Sequence, residues 1–121
     1  MQAELVRTVE RLKGNKGLIL NLALNYGSRQ EIVDAVNAAL AGGARELDEA
    51  AISRHLYSPD LPDPDLVIRT SGEMRVSNFL LWQIAYAELY VTQTFWPDFR
   101  APHLHEAIAE YQKRDRRFGG V

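Results

Sequence analysis

Two arginines and a serine, Arg69, Arg75 and Ser77, stand within nine residues of one another in a polar segment of the sequence. An Arg guanidinium is permanently charged and can donate two parallel hydrogen bonds to a phosphate or a carboxylate. A helix, predicted over residues 78–86, would add backbone N–H groups and the positive end of its dipole. This combination favours a ligand that bears a phosphate or a carboxylate, and a diphosphate suits it better than a monoanion.

Carboxylates near this segment leave other interpretations open. Asp65 and Glu73 are acids with which the two arginines could pair, in which case Ser77 only caps a helix, and spacing alone favours neither interpretation. Glu88, two positions before the aromatic Tyr90, could hold Mg²⁺ for a diphosphate. A single carboxylate is compatible with Mg²⁺, but it is more typical of a surface or edge-strand acid.

The apolar pattern places these residues on an α/β framework. It predicts helices over residues 3–13, 28–40, 48–57 and 104–111, and strands over residues 17–24, 65–69 and 88–94. Ser28 and Glu31 have the spacing of a capping box. A strand, a Gly-containing turn and a capped helix form the first half of a βαβ unit, which predicts a mainly parallel sheet flanked by helices. Because ligands bind at the carboxyl ends of such strands, Arg69, at the end of the strand predicted over residues 65–69, stands where a ligand-binding residue is expected.

Composition excludes several classes of protein. The 121 residues include 14 Lys and Arg against 16 Asp and Glu, and the net charge of −2 provides no global attraction for nucleic acid. The absence of cysteine excludes disulfides and thiolate metal sites. No apolar run approaches the ~20 residues of a membrane span, and the first residues lack the apolar core of a signal peptide. We therefore expect a cytoplasmic protein.

A long run of motifs resembles the cis-prenyltransferases, the undecaprenyl diphosphate synthase family. The matching segments, in the order and spacing of that family, are residues 64–73, 75–83, 86–88 and 96–99. Residues 25–29 are similar to the upstream Asn-Tyr-Gly-Gly-Arg element of the family, with Ser28 in place of the second glycine. The resemblance extends from about Leu18 to Gly120 and covers nearly the whole chain.

The resemblance implies roles for individual residues. It implies that Arg69, Arg75 and Ser77 bind the diphosphate of isopentenyl diphosphate, and that Glu88 is a Mg²⁺ ligand. Arg117 and Gly119 match a C-terminal Arg-x-Gly motif, which in the family reaches into the active site of the partner subunit. Leu18 matches a residue at the closed end of the family's product tunnel.

One family element has no counterpart in the sequence. Members of the family carry an Asp-Gly-Asn-x-Arg segment in their N-terminal half, which binds the allylic diphosphate and supplies the Asp that works with Mg²⁺. The resemblance therefore implies that residues 1–121 are a single partial domain, the C-terminal half of the enzyme, with the catalytic Asp outside it. We expect the isolated chain to be inactive, and to associate or fold poorly, because half of a parallel sheet exposes an edge and apolar faces.

The activity implied by the resemblance is cis-prenyl chain elongation. Isopentenyl diphosphate would be condensed onto an allylic, farnesyl diphosphate to give undecaprenyl diphosphate, a lipid carrier for cell-wall synthesis. The resemblance further implies a homodimer, peripheral membrane contact during product release, and no nucleic-acid partner. A non-catalytic accessory subunit of the same family is the alternative, and an unrelated phosphate-binding module is a third. The intact set of substrate residues favours descent from a catalytic chain.

Overall fold

The structure is a computed structural model that describes residues 2–114. The helices are α1 (Gln2–Leu12), α2 (Ser28–Ala41), α3 (Glu49–Ser53) and α4 (Ala101–Gln112), the strands are β1 (Leu66–Arg69) and β2 (Glu88–Val91), and a short 3₁₀ helix spans Trp96–Asp98. The predicted Arg-x-Gly residues, Arg117 and Gly119, lie outside the described part of the chain. None of the helices within residues 2–114 is long and apolar enough to cross a bilayer.

Strands β1 and β2 pair in parallel, which confirms the predicted α/β class. Leu66 is opposite Glu88 and Arg69 is opposite Val91. Because side chains alternate along a strand, Arg69 shares one face of the sheet with Val91, whereas Glu88 lies on the other face. Helix α4 packs against β2 on the side of Glu88. The sheet therefore has one face covered by α4 and another that carries Arg69.

The core between α2 and α3 is built from small side chains. Both helices pack against each other, and three aromatic rings, those of Tyr26, Tyr57 and Phe79, meet edge to face beside them. The turns after Asn78 dock on α3, where the indole N–H of Trp82 donates to Ser53 Oγ at 3.0 Å. The buried residues are Ser28, Glu31, Ala35, Ala39, Ala51, Leu56 and Ala107.

The strand predicted over residues 17–24 is wrong for this structure. This segment has no regular secondary structure, and its leucines are exposed, with Leu18 91% and Leu20 74% accessible. A strand requires a neighbour that satisfies its backbone N–H and C=O groups. No strand within residues 2–114 pairs with this segment, so the apolar pattern of 17–24 has no partner there.

The helix predicted over residues 78–86 is also wrong, because the segment consists of consecutive turns. Asn78 and Leu80 have φ angles of 60° and 47°. This left-handed conformation is incompatible with continuing a right-handed helix. The helix dipole expected after Ser77 is therefore not supplied.

Tertiary contacts replace the predicted capping box at the start of α2. Gly27 is the N-cap residue, and no side chain caps the helix there. Instead, Ser28 Oγ accepts a hydrogen bond from the backbone N–H of Leu81 at 2.8 Å, and Glu31 Oε1 accepts one from the backbone N–H of Tyr57 at 3.0 Å. The helix predicted over 48–57 is shorter than expected and ends at Ser53.

Candidate anion-binding site

A cavity of about 370 Å³ opens at the carboxyl end of β1, where sequence analysis predicts an anion site. Arg69 is the last residue of β1, and Arg75 follows six residues later in the loop. The cavity combines charged and hydroxyl side chains with an apolar wall. Its lining residues are Val67, Ile68, Arg69, Thr70, Ser71, Glu73, Arg75, Val76, Phe79, Ile84 and Leu89.

Backbone hydrogen bonds hold the loop that follows β1. The N–H of Ser71 donates to the carbonyl of Thr94 at 3.0 Å, and the N–H of Gly72 donates to the carbonyl of Thr92 at 2.8 Å. The chain turns sharply here, with φ angles of 68° at Ser71 and 69° at Gly72. These bonds to the segment after β2 position the loop that connects Arg69 with Arg75.

The two arginines converge on one carboxylate. Glu73 Oε2 lies 2.7 Å from Arg69 Nη2 and 2.6 Å from Arg75 Nη2. The hydrogen bond from Arg69, together with the charge of Arg75, holds the pKa of Glu73 below its usual value. Both arginines thus pair with Glu73, as one interpretation of the sequence expected, but residues 78–86 form no helix for Ser77 to cap. This pairing is compatible with ligand binding, because each guanidinium uses only one of its two Nη atoms in this contact.

The structure brings Arg69 and Arg75 together, but it does not place the Ser77 side chain among the lining residues of the cavity. Ser77 lies in an exposed turn with a φ of 50°. Two hydroxyl residues that were not predicted from the sequence, Thr70 and Ser71, do line the cavity. Their position directly after the arginine that ends β1 is the sequence feature from which their place in the cavity could have been predicted.

Glu88, the predicted Mg²⁺ ligand, lies away from the arginines. It is the first residue of β2, opposite Leu66, so about 10 Å of strand separates its backbone from that of Arg69. Its carboxylate is paired with Arg114, whose Nη1 lies 2.6 Å from Glu88 Oε2. Arg114 Nη1 also donates to the carbonyl of Leu89 at 3.1 Å, so the residue two positions after α4 is bonded to β2.

The residues present fit Mg²⁺ only as a single-carboxylate site. Within residues 2–114, no group of three or more His, Cys, Asp or Glu side chains could hold a metal ion. Mg²⁺ commonly uses one or two protein carboxylates and takes its other ligands from substrate phosphates and water. Glu88 can supply the one protein carboxylate that Mg²⁺ requires, but only if its ion pair with Arg114 is broken.

A second cavity, of about 400 Å³, lies between the segment after α1 and the segment after α3. Asn21, Tyr26 and Tyr57 line it, and the buried carboxylate of Glu31 stands at its wall. The wall is more apolar than that of the anion cavity. Leu18, the residue predicted to close a tunnel, is not among its lining residues.

Comparisons with known proteins agree with the motifs. The family model described as "Putative undecaprenyl diphosphate synthase" matches residues 1–119. The isoprenyl transferase of Fusobacterium nucleatum subsp. nucleatum is 56% identical over 121 residues, which are 100% of this chain and 52% of that protein. The isoprenyl transferase of Halalkalibacterium halodurans is also 56% identical, over 95% of this chain and 47% of its own length. The chain thus spans about half the length of these relatives.

Solved structures show the same relationship. A lavandulyl diphosphate synthase from Lavandula x intermedia, solved in complex with dimethylallyl diphosphate, superposes with a TM-score of 0.92 at 38% identity, covering 98% of this chain and 54% of that one. A probable undecaprenyl diphosphate synthase from Campylobacter jejuni gives a TM-score of 0.86 at 34% identity, covering 98% and 56%. The motifs, the parallel sheet and these matches together show that the chain belongs to the undecaprenyl diphosphate synthase family of prenyltransferases.

Proposed function

We propose that this chain provides the isopentenyl diphosphate site of a cis-prenyltransferase that elongates an allylic diphosphate. One observation carries the proposal: Arg69 and Arg75 converge on one cavity at the carboxyl end of a parallel strand. A diphosphate offers several anionic oxygens, which match the remaining N–H donors of two guanidiniums. Thr70 and Ser71 line the same cavity, and each carries a hydroxyl that can hydrogen-bond to a phosphate.

The proposed reaction joins two isoprenoid units. The double bond of isopentenyl diphosphate forms a new C–C bond with the allylic carbon, whose C–O bond to diphosphate breaks, and a proton is then lost to give the new cis double bond. Arg69 and Arg75 hold the diphosphate of the isopentenyl unit, which the reaction retains, and so orient its double bond. Mg²⁺, when bound, neutralises charge on the departing diphosphate.

Several features of the whole enzyme belong to the same proposal. The starter is farnesyl diphosphate, the product is undecaprenyl diphosphate for cell-wall synthesis, and the catalytic Asp lies outside residues 1–121. Glu88 serves as a Mg²⁺ ligand, Ser77, Arg117 and Gly119 contact substrate, and Leu18 lies at the end of the tunnel. The enzyme acts as a cytoplasmic homodimer that contacts the membrane peripherally during product release. The 121-residue chain, a single partial domain, is inactive alone.

The test follows incorporation of radiolabelled isopentenyl diphosphate into butanol-extractable product, with farnesyl diphosphate and Mg²⁺. The 121-residue chain is compared with the same chain extended through its upstream coding sequence. Activity in the extended form alone supports the proposal. Activity in neither form favours a non-catalytic accessory subunit, and activity in the short chain contradicts the assignment of the catalytic Asp to a segment outside it.

Substitution at the site tests the residue roles in the active form. Arg69→Ala and Glu88→Ala are expected to lower turnover at least tenfold, because each removes a charge that the proposal places at the substrates. Arg45→Ala is the matched control, since Arg45 is exposed and lies outside the anion cavity. Far-UV circular dichroism checks that the fold is retained. Near-normal steady-state kinetics in both site variants would refute the site assignment.

A further inference from the structure

Glu73 is an acidic residue inside a cavity proposed to bind an anion. A carboxylate there would ordinarily weaken anion binding, because it repels the ligand and occupies the donors. Yet the Glu73 side chain is 39% exposed and lines the cavity between a more buried arginine, Arg69 at 29%, and a more exposed one, Arg75 at 64%. Its position therefore needs a physical explanation.

The geometry of the contact provides one. Both guanidiniums approach the same oxygen, Glu73 Oε2, through their Nη2 atoms at 2.7 and 2.6 Å. The two Nη2 atoms are thus no farther apart than the sum of these distances. Two cations at such a separation repel each other unless an anion lies between them. Glu73 supplies that anion while the diphosphate is absent.

The contact also leaves donors available. A guanidinium has five N–H donors, and the contact with Glu73 involves a single nitrogen of each arginine. The Nη1 and Nε atoms of Arg69 and Arg75 have no partner in residues 2–114. A diphosphate can therefore bind these donors without displacing Glu73.

We propose that Glu73 is a positioning residue, which holds Arg69 and Arg75 in a convergent arrangement ready for the diphosphate of the substrate. The proposal rests on the proposed function, because it requires that the cavity bind a diphosphate. Without the carboxylate, the long and largely exposed Arg75 side chain moves away from Arg69, and the ligand has to order it again on binding. Removing the negative charge of Glu73 therefore weakens binding rather than strengthening it.

If Glu73 instead competes with the ligand for the two arginines, the predicted change in anion affinity has the opposite sign. If Glu73 only occupied the donors, its neutralisation would free them and tighten the binding of an anion. The sign of the change in affinity thus separates positioning from competition. Inorganic pyrophosphate is a suitable probe because it presents the diphosphate group without an isoprenoid chain.

The experiment measures pyrophosphate binding by isothermal titration calorimetry, using protein expressed from its native coding sequence. The variants are Glu73→Gln, Glu73→Asp, Arg69→Gln and the control Glu46→Gln, whose side chain is exposed and lies outside the cavity. Glu73→Gln is expected to raise the Kd about tenfold, the loss of one charge-assisted interaction. Glu73→Asp, which keeps the charge, is expected to recover part of the affinity, and Glu46→Gln is expected to match the wild type.

The outcomes separate the two proposals. A titration in which Arg69→Gln removes no component of pyrophosphate binding would overturn the proposed anion site itself. Binding that depends on Arg69, but is equal or tighter in Glu73→Gln, would keep the site and overturn the positioning role. In the active enzyme, positioning further predicts that Glu73→Gln raises KM for isopentenyl diphosphate more than it lowers kcat. Thermal unfolding of each variant shows whether the fold is retained.

Discussion

Glu31 joins three separate segments of the described chain. Its carboxylate is only 1% exposed, and it accepts hydrogen bonds from the backbone N–H of Tyr57 at 3.0 Å, from Gln83 Nε2 at 3.2 Å and from the Tyr26 hydroxyl. These donors come from the loop before α2, the chain after α3 and the turns after residue 77. A buried carboxylate must be satisfied in this way, since its desolvation is otherwise very costly. Glu31 thus connects α2 to the turns that carry the motif residues.

Replacing Glu31 tests this role. Glu31→Ala is expected to lower the free energy of unfolding by about 3 kcal/mol, because it leaves buried donors without an acceptor. Glu31→Gln keeps one acceptor oxygen and is expected to cost about half as much. Urea denaturation followed by circular dichroism measures both. Glu46→Ala, an exposed position, is the control, and a Glu31→Ala midpoint equal to that of the control would contradict the role.

At the scale of elements, the loop between β1 and the turns depends on Gly72. Its φ of 69° is a left-handed conformation, and its N–H bonds to the carbonyl of Thr92. A Cβ at this position would lie 2.3 Å from the side-chain oxygen of Gln93, which would have to rotate away. The loop that positions Arg69 and Arg75 therefore depends on a residue without a side chain.

Gly72→Ala is expected to lower the free energy of unfolding by about 1–2 kcal/mol, the cost of a left-handed conformation for an L-residue. It is also expected to weaken pyrophosphate binding several-fold, because the displaced loop separates the arginines. Gly43→Ala is the matched control: Gly43 has a φ of 92° with open space around it, so stability falls while binding is unchanged. Equal binding by the two variants would show that the loop does not position the arginines.

The elements also show how far the sequence alone could predict this structure. Strand β1 could be predicted because its apolar run lies between two charged residues, Asp65 and Arg69. Both ends of the strand are therefore visible in the local sequence. The pairing of Ser28 with Leu81 and of Glu31 with Tyr57 could not, because these partners are distant in the sequence and compete with a local capping box. The turns after residue 77 depend on left-handed residues such as Leu80, which no local propensity predicts.

The candidate site was predictable to a similar degree. The spacing of Arg69 and Arg75 indicated an anion site, but it could not decide whether Asp65 or Glu73 would meet them, since that depends on side-chain directions. Placing Glu88 on the opposite face from Arg69 requires the strand register, which sequence pattern does not give. Each of these features is set by tertiary contacts rather than by local sequence.

On the scale of the whole molecule, the segment between α1 and α2 exposes a row of apolar side chains. Leu20 and Leu22 are 74% and 57% accessible, and α1 has no buried residue. Contiguous exposed apolar surface promotes association in water. The described part of the chain thus buries little of its own apolar sequence before residue 28.

We predict that the purified 121-residue chain self-associates as its concentration rises. Size-exclusion chromatography with light scattering measures the mass. The double substitution Leu20→Glu and Leu22→Glu is expected to shift the chain toward a monomer, because charge opposes apolar contact. Asn37→Glu adds charge at an exposed site on α2 and serves as the control. A monomeric wild-type chain at all concentrations would contradict the prediction.

The contact between Trp82 and Ser53 has an optical consequence. The Trp82 indole is half-buried where the turns meet α3, whereas Trp96 is 73% exposed. An indole shielded from water emits at shorter wavelength than a solvated one, so the two tryptophans report on different surroundings. A red shift of the shorter-wavelength component on dilution into denaturant would follow the turns leaving α3. The chain therefore carries its own fluorescent probe of the segment that holds the motif residues.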